Sequence, residues 1–242
     1  MNKYYTKITG ITELAKATGS NIQIEDKFYE LSSKLISKCS YFQKLMQDVL
    51  YDAHKEDVYR AAQRIKDLSS PKKRSEFLNS HNNITHDNEI LSIFRYTKEK
   101  FIEIYEFRNC LAHEIWQSSS QFPNLLLLSK IDEEAKLLFA SRKLEYIEQN
   151  KTVDTFNSII EYIKNVKLVS IQDLYRADSA IEICNWCMMQ ISFFLRETDP
   201  QKALDLKEGF FIFGGVSHLF PGRAKPKETM SWESKREKYR EG

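Results

Sequence analysis

The sequence predicts a mainly α-helical protein, an antiparallel helical bundle with a small β-hairpin insertion after one of its long helices. Apolar residues recur at the helical period over several long segments. The 242-residue chain has only seven Gly and five Pro, fewer than a turn-rich sheet protein would need. A hydrophobic content of 42% in a chain of this length is enough for a substantial core.

The first predicted helix covers residues 26–53, and a second covers residues 57–68 and ends at Ser-Ser-Pro in 69–71. The two should pair as a helical hairpin. The first is the more regular, with these apolar residues at helical spacing: Phe28, Leu31, Leu35, Cys39, Phe42, Met46, Val49 and Ala53. Residues 71–86 are polar and have room for one short helix.

A third long helix is predicted to begin at Asp87, a favourable N-cap residue. Beyond residue 116 the period changes. Short apolar runs at 125–129 and 135–140 fit a β-hairpin or a capped helix, and we favour a hairpin insertion within 116–141.

Two further helices are predicted in the C-terminal half. The first covers residues 153–163. The second opens with Ser170 and Asp173, a capping-box pattern, and is apolar almost all round from Ile181 onward, as expected of the centre of a bundle.

The predicted organisation is one main domain with two appendages. Residues 1–24 form an N-terminal segment, residues 25–200 the helical domain, and residues 201–242 a C-terminal extension. Within the extension, Gly209 to Gly215 resembles a junction or docking segment. Residues 221–242 form a basic tail with seven basic residues against four glutamates.

Charge, apolar stretches and cysteine count limit which compartment and which partners we expect for the protein. The net charge of +2 is too small to indicate nucleic-acid binding by itself. The N-terminus has no apolar signal core, and the most apolar stretch, 183–195, is too short to cross a bilayer. Four cysteines in this length fit a reducing cytosol, and Cys184 and Cys187 lie in that apolar stretch as packing residues. We therefore expect a cytoplasmic protein with no membrane contact, no cofactor and no metal.

The candidate site lies at the end of the third helix, where Arg108, Asn109 and His113 fall within a turn and a half. Arg108 also falls on the apolar stripe formed by Phe94, Phe101, Ile104, Leu111 and Ala112, where an unpaired charge is costly. On an ideal helix Arg108 and His113 are about 140° apart. They converge if the helix ends near Ala112, if the Arg side chain bends round, or if two copies of the helix meet across a two-fold axis.

These residue types suit RNA cleavage. Histidine can accept a proton from a ribose 2′-OH or donate one to a leaving oxygen near neutral pH. The guanidinium of Arg108 offers a permanently charged fork that matches a phosphate, and Asn109 can orient either group or the substrate. With no acidic cluster beside them, metal-independent cleavage by the substrate's own 2′-OH fits best, and DNA would be refused.

The Arg-Asn-Cys-Leu-Ala-His run at the end of a long helix resembles the signature of the HEPN superfamily. The resemblance implies a helical bundle that dimerises around this motif and a composite cleft with metal-independent endoribonuclease activity. Such domains are common in bacterial toxins, abortive-infection systems and antiviral effectors, sometimes controlled by an antitoxin or another regulatory protein. It also implies that Arg108, Asn109 and His113 form the active site. The chain departs from toxins that carry Tyr two positions after the His, because that position is Ile115.

A structural alternative stays open from the sequence. Arg108 would pair with Glu103 or Glu106, and the protein would be a non-catalytic dimerisation module or a module that binds a nucleotide or a protein. The neighbouring aromatic residues, Tyr105 and Trp116, would pack in the core or stack an unpaired base.

Overall fold

The computed structural model describes residues 4–7, 24–53, 84–119, 122–132, 165–212 and 216–220. The protein is mainly helical, as predicted, with a small antiparallel sheet. The helices are α1 (Asp26–Ala53), α2 (Asn88–His113), α3 (Ile171–Arg196) and α4 (Pro200–Ile212), followed by a 3-10 turn at Ser217–Leu219. The strands are β1 (Thr6–Lys7), β2 (Ile115–Ser119), β3 (Phe122–Ser129) and β4 (Lys167–Ser170). The predicted helices at 57–68 and 153–163 and the basic tail at 221–242 lie outside the described residues.

Helices α1 and α2 begin where the sequence predicts. Every apolar position of the α1 stripe except Ala53 is buried. The carboxylate of Asp87 caps α2, since its Oδ1 accepts hydrogen bonds from the backbone N–H groups of Glu89 at 2.9 Å and Ile90 at 3.1 Å. Both starts were predictable because amphipathic period and N-cap chemistry are local properties of the chain.

The capping box at the start of α3 is also confirmed. Ser170 Oγ accepts a hydrogen bond from the Asp173 backbone N–H at 3.1 Å. In return, Asp173 Oδ2 accepts one from the Ser170 backbone N–H at 2.8 Å. These reciprocal bonds satisfy N–H groups that the first helical turn leaves without an intrahelical partner.

A hairpin follows α2, but the strands that form it differ from the predicted ones. The predicted strand at 125–129 lies in β3, whereas its partner is β2, directly after the helix. Residues 135–140 lie outside the described ranges. Moreover, β4 and β1 extend the hairpin into a four-stranded antiparallel sheet of order β1-β4-β3-β2.

The physical reason for this difference is the inner position of β3. Leu126, Leu127 and Leu128 are all buried, so this strand shows no alternation of apolar and polar residues. Strand β4 has only four residues and includes a lysine, which is too little for a periodic signal.

The chain divides into two compact units, and the predicted domain boundaries at residues 24/25 and 200/201 stay predictions. Unit 1 comprises residues 1–39 and 102–181, and unit 2 comprises residues 40–101 and 182–242. Unit 1 contains the sheet and the residues of the candidate site. None of the helices in the described ranges combines the length and apolar character needed to cross a bilayer.

Unit 2 has its own core, in which Phe42 and Phe101 stack with ring centroids 3.9 Å apart. Helix α4 belongs to this unit and continues through Gly209, the first residue of the predicted junction or docking segment. Glycine costs a helix interior about 1 kcal/mol. Burial of Phe210, which meets the Trp186 ring edge-on at 5.5 Å, offsets that cost.

Candidate functional site

The three predicted site residues all lie on α2 in unit 1. The helix includes His113 as its last residue, and a hydrogen bond from the Glu114 backbone N–H to the Cys110 carbonyl at 3.0 Å follows directly. An early helix end near Ala112 is therefore not how Arg108 and His113 approach each other. The regular helix leaves them about 140° apart, while Asn109 and His113 lie on one side, four residues apart.

The Arg108 side chain turns toward the side of the helix that carries Asn109. Its Nη1 donates a hydrogen bond to Asn109 Oδ1 at 3.0 Å, and its Cζ lies 5.7 Å from the centroid of the Tyr105 ring. Because the acceptor of this hydrogen bond is the uncharged amide of Asn109, the bond does not neutralise the positive charge of the guanidinium. The side chain thus bends partly round the helix, which is one of the three routes that the sequence left open.

Burial corrects one detail of the sequence analysis. The core stripe of α2 runs through Phe101, Ile104, Phe107 and Leu111, all of which are buried. Arg108 lies at the edge of that stripe and is half-buried, while Ala112 is exposed. The reason is Phe107, which stacks on Tyr4 at 5.6 Å and occupies the core-facing position beside Arg108.

Accessibility differs among the three side chains. His113 is exposed, and Arg108 and Asn109 are half-buried. A substrate in solvent can therefore reach the imidazole directly. One and a half turns of α2 therefore carry a hydrogen-bonded guanidinium, an amide and a solvent-exposed imidazole.

A buried ion pair lies directly after His113, and sequence reasoning missed it. Lys167 of β4 forms a hydrogen-bonded ion pair with Glu114, and each side chain is only 8% exposed. Glu114 Oε2 is buried and, within the described ranges, accepts no hydrogen bond. Because the two residues are 53 positions apart, no local pattern could have revealed the pair.

Two half-buried residues, Cys110 and Tyr5, lie beside the pair of Lys167 and Glu114. Burial raises the pKa of the Cys110 thiol, and the Glu114 carboxylate raises it further against the opposing charge of Lys167. Burial also raises the pKa of Tyr5, whose ring centroid lies 5.5 Å from Lys167 Nζ. For Lys167 burial acts to lower the pKa, but the hydrogen bond to Glu114, its charge, and the charges that Cys110 and Tyr5 acquire in alkaline solution outweigh it, so the pKa of Lys167 is raised. At neutral pH the thiol and the phenol are therefore neutral beside an ammonium.

The charge of Arg108 also acts on α1. Burial raises the pKa of the Cys39 thiol to about 12, and the Arg108 guanidinium opposes that shift through space. Cys39 is 1% exposed. It is therefore an unreactive core thiol.

An aromatic pair lies beside the end of α2. Trp116 Nε1 donates a hydrogen bond to the Leu111 carbonyl at 2.9 Å. Tyr29 of α1 stacks on the indole, with centroids 5.2 Å apart and an interplanar angle of 22°. Tyr105, the other aromatic residue of the motif, lies under Arg108.

The described residues contain no group of three or more His, Cys, Asp and Glu side chains placed to hold a metal ion. Cys184 and Cys187 are both buried in α3, and burial raises the pKa of Cys187 to about 12. They pack as core residues, as the sequence analysis expected.

Comparison with known proteins returns no matching family model, no matching curated protein and no matching solved structure.

Proposed function

We propose that this protein is an endoribonuclease that cleaves RNA by attack of the substrate's own 2′-OH, without a metal ion. The observation that supports this most directly is the bond from Arg108 Nη1 to Asn109 Oδ1, beside the exposed His113. The acceptor is an amide oxygen, so this bond positions the guanidinium without cancelling its charge, on the helix that also carries a histidine, the residue type suited to proton exchange near neutral pH.

Each residue has a role in the proposed reaction. The ribose 2′-oxygen attacks the adjacent phosphorus, and the bond from phosphorus to the 5′-oxygen breaks. His113 takes the proton of the 2′-OH or supplies the one that the departing 5′-oxygen needs, and water exchanges the other proton. Arg108 balances the charge that builds on the non-bridging oxygens, and Asn109 orients the guanidinium. The products are a 2′,3′-cyclic phosphate and a 5′-OH.

We further propose a homodimer, because Arg108 and His113 leave one helix about 140° apart and the Arg108 side chain bends only as far as Asn109. A two-fold axis beside α2 would let the guanidinium of one copy meet the imidazole of the other. The proposed setting is a bacterial cytoplasmic toxin, abortive-infection or antiviral effector, with RNA as substrate and an antitoxin or regulatory protein as a second partner.

Mixing two inactive variants tests the composite site. In a dimer of Arg108→Ala with His113→Ala, one of the two composite sites keeps both side chains, so cleavage returns on mixing. If each site lies within one copy, no mixture regains cleavage.

The central experiment is incubation of purified protein with total cellular RNA in EDTA. Fragments that end in a 2′,3′-cyclic phosphate are expected from the wild type and not from His113→Ala. The matched control is His86→Ala, which removes another exposed histidine, just before α2 begins. Intact RNA with a retained dimer would contradict the proposal and favour the non-catalytic binding module. Equal cleavage by His113→Ala would remove His113 from the mechanism.

A further inference from the structure

The guanidinium of Arg108 contacts two uncharged groups of its own helix. Its Cζ lies 5.7 Å from the centroid of the Tyr105 ring, one turn earlier on α2. Its Nη1 donates a hydrogen bond to Asn109 Oδ1 at 3.0 Å, one residue later. A cation within about 6 Å of a ring centroid is attracted by the negative face of the ring. Both contacts therefore hold the guanidinium, and neither cancels its charge.

Two contacts restrict this side chain more than one would. A hydrogen bond from a single nitrogen fixes one point of the guanidinium, which can still turn about that point. The Tyr105 ring beside Cζ adds a second fixed point. Less rotational freedom is then left to lose when an anion binds, and a group ordered in advance costs less to use. An arginine carries five N–H donors, of which the bond to Asn109 uses one.

The Tyr105 ring lies at the edge of the core and not within it. Its neighbours on the core stripe of α2, Ile104 and Phe107, are both 0% exposed. Tyr105 is half-buried, like Arg108. Replacing its ring by a smaller apolar side chain therefore leaves the fully buried positions of unit 1 filled.

We infer that Tyr105 is a positioning residue, whose ring, together with the Asn109 amide, holds the Arg108 guanidinium ready for the phosphate of the substrate. This inference rests on the proposed function and deepens it. A cation that is already in place stabilises the charge that builds up in the transition state without first having to be reoriented. The role differs from the two that the sequence left open for Tyr105, core packing and base stacking, because the ring acts through Arg108.

Three variants isolate the contribution of the ring. Tyr105→Leu removes the ring and keeps an apolar side chain, whereas Tyr105→Phe keeps the ring and removes the hydroxyl. The matched control is Tyr96→Leu, further from the motif on the same helix. There the ammonium of Lys100 lies 5.7 Å from the centroid of the Tyr96 ring, which is the same kind of contact at the same distance.

Two measurements are made on each variant. Single-turnover cleavage of RNA in EDTA gives the rate constant and, from its dependence on protein concentration, the affinity for RNA. NMR reports on Arg108 without any need for cleavage. Its Nε–H signal is assigned by its absence in Arg108→Ala, and it responds to the ring because ring currents shift the resonances of nearby protons.

Tyr105→Leu is expected to lower the rate constant by about 2- to 30-fold, the range that corresponds to the loss of a cation–π contact. The affinity for RNA should stay unchanged, because the held charge acts on the transition state. A general loss of structure would lower both. The Arg108 Nε–H signal should shift in Tyr105→Leu only. Tyr105→Phe should restore the wild-type rate constant, and Tyr96→Leu should not alter it.

The outcomes separate this inference from the proposed function. If the wild type cleaves RNA and Tyr105→Leu keeps the wild-type rate constant, or loses rate without a shift of the Arg108 signal, the positioning role is overturned and the nuclease stands. If Tyr105→Phe behaves like Tyr105→Leu, the hydroxyl acts instead of the ring, which also overturns the role. If the wild type cleaves no RNA but only Tyr105→Leu shifts the Arg108 signal, the hold of the ring on the guanidinium stands and the nuclease is overturned. No cleavage and no shift overturn both.

Discussion

Replacing Lys167 by Met should destabilise the protein strongly, because it breaks a buried ion pair on one side only. Lys167 and Glu114 are each 8% exposed, and Glu114 Oε2 already accepts no hydrogen bond in the described ranges. Without the ammonium, the carboxylate either stays charged in a poorly hydrated place or takes up a proton. Both outcomes cost free energy that the unfolded chain does not pay.

Removing one partner of a buried ion pair lowers the free energy of unfolding by about 3–5 kcal/mol. For a chain of this size each kcal/mol lowers Tm by about 2–4 °C. The expected drop for Lys167→Met is therefore about 6–20 °C in a thermal melt followed by circular dichroism.

Two further variants make the test specific. Lys167→Met combined with Glu114→Leu removes both charges, and it should recover most of the lost stability, because apolar pairs of similar volume often replace buried ion pairs without loss. Lys34→Met breaks an exposed pair with Glu30 and should leave Tm nearly unchanged. A Tm for Lys167→Met within a few degrees of the wild type would refute the reasoning, since it would mean that the Glu114 carboxylate is well hydrated without its partner.

The remaining predictions concern the α2 cap and the buried titrating groups. Asp87→Ala should lower the unfolding free energy by about 0.5–2 kcal/mol, measured by urea denaturation, whereas Asp87→Asn should lose less because it keeps the capping oxygen. The raised pKa values of Cys110 and Lys167 give stability that is fully present below the pKa values of the unfolded chain. It is lost as pH rises through the folded values, so urea denaturation should show a decline that starts near pH 9, the ordinary cysteine value, and a rise with pH there would contradict this. Cys39 and Cys187, with pKa raised to about 12, should not react with a thiol reagent at pH 8 in the native protein, and rapid labelling of either before unfolding would contradict their burial.

The sequence could predict those features that depend on residues close together in the chain. The start of α2 depends on Asp87 and the two N–H groups that it caps, and the start of α3 depends on Ser170 and Asp173. Each cap lies within three residues of its partner. The chemistry proposed for Arg108 is also inferred from neighbouring residue types and their spacing, and it stays a prediction.

What could not be predicted depends on residues that are far apart in the chain. Lys167 and Glu114 are 53 positions apart. Tyr29 lies on a helix that shows no sign in its own sequence of the indole it stacks on. The half-burial of Arg108 was missed for another reason: Phe107, at helical spacing between Ile104 and Leu111, takes the core position beside it, and Tyr4 packs on that ring. The apolar period of the local sequence determines where a helix forms, whereas tertiary contacts determine which partners its side chains meet.

The contacts of Glu114 and Trp116 have a common consequence for His113. The residue after it, Glu114, is tied to β4 through Lys167, and Trp116 is tied back to the Leu111 carbonyl. The backbone around His113 is thus held on both sides, although its imidazole is exposed. In the proposed reaction only the side-chain rotation of His113 would remain to be fixed when RNA binds, and an immobilised side chain costs far less free energy than an ordered loop. In the proposed reaction His113 would be a proton-transfer group on a fixed backbone, which is what preorganised catalysis requires.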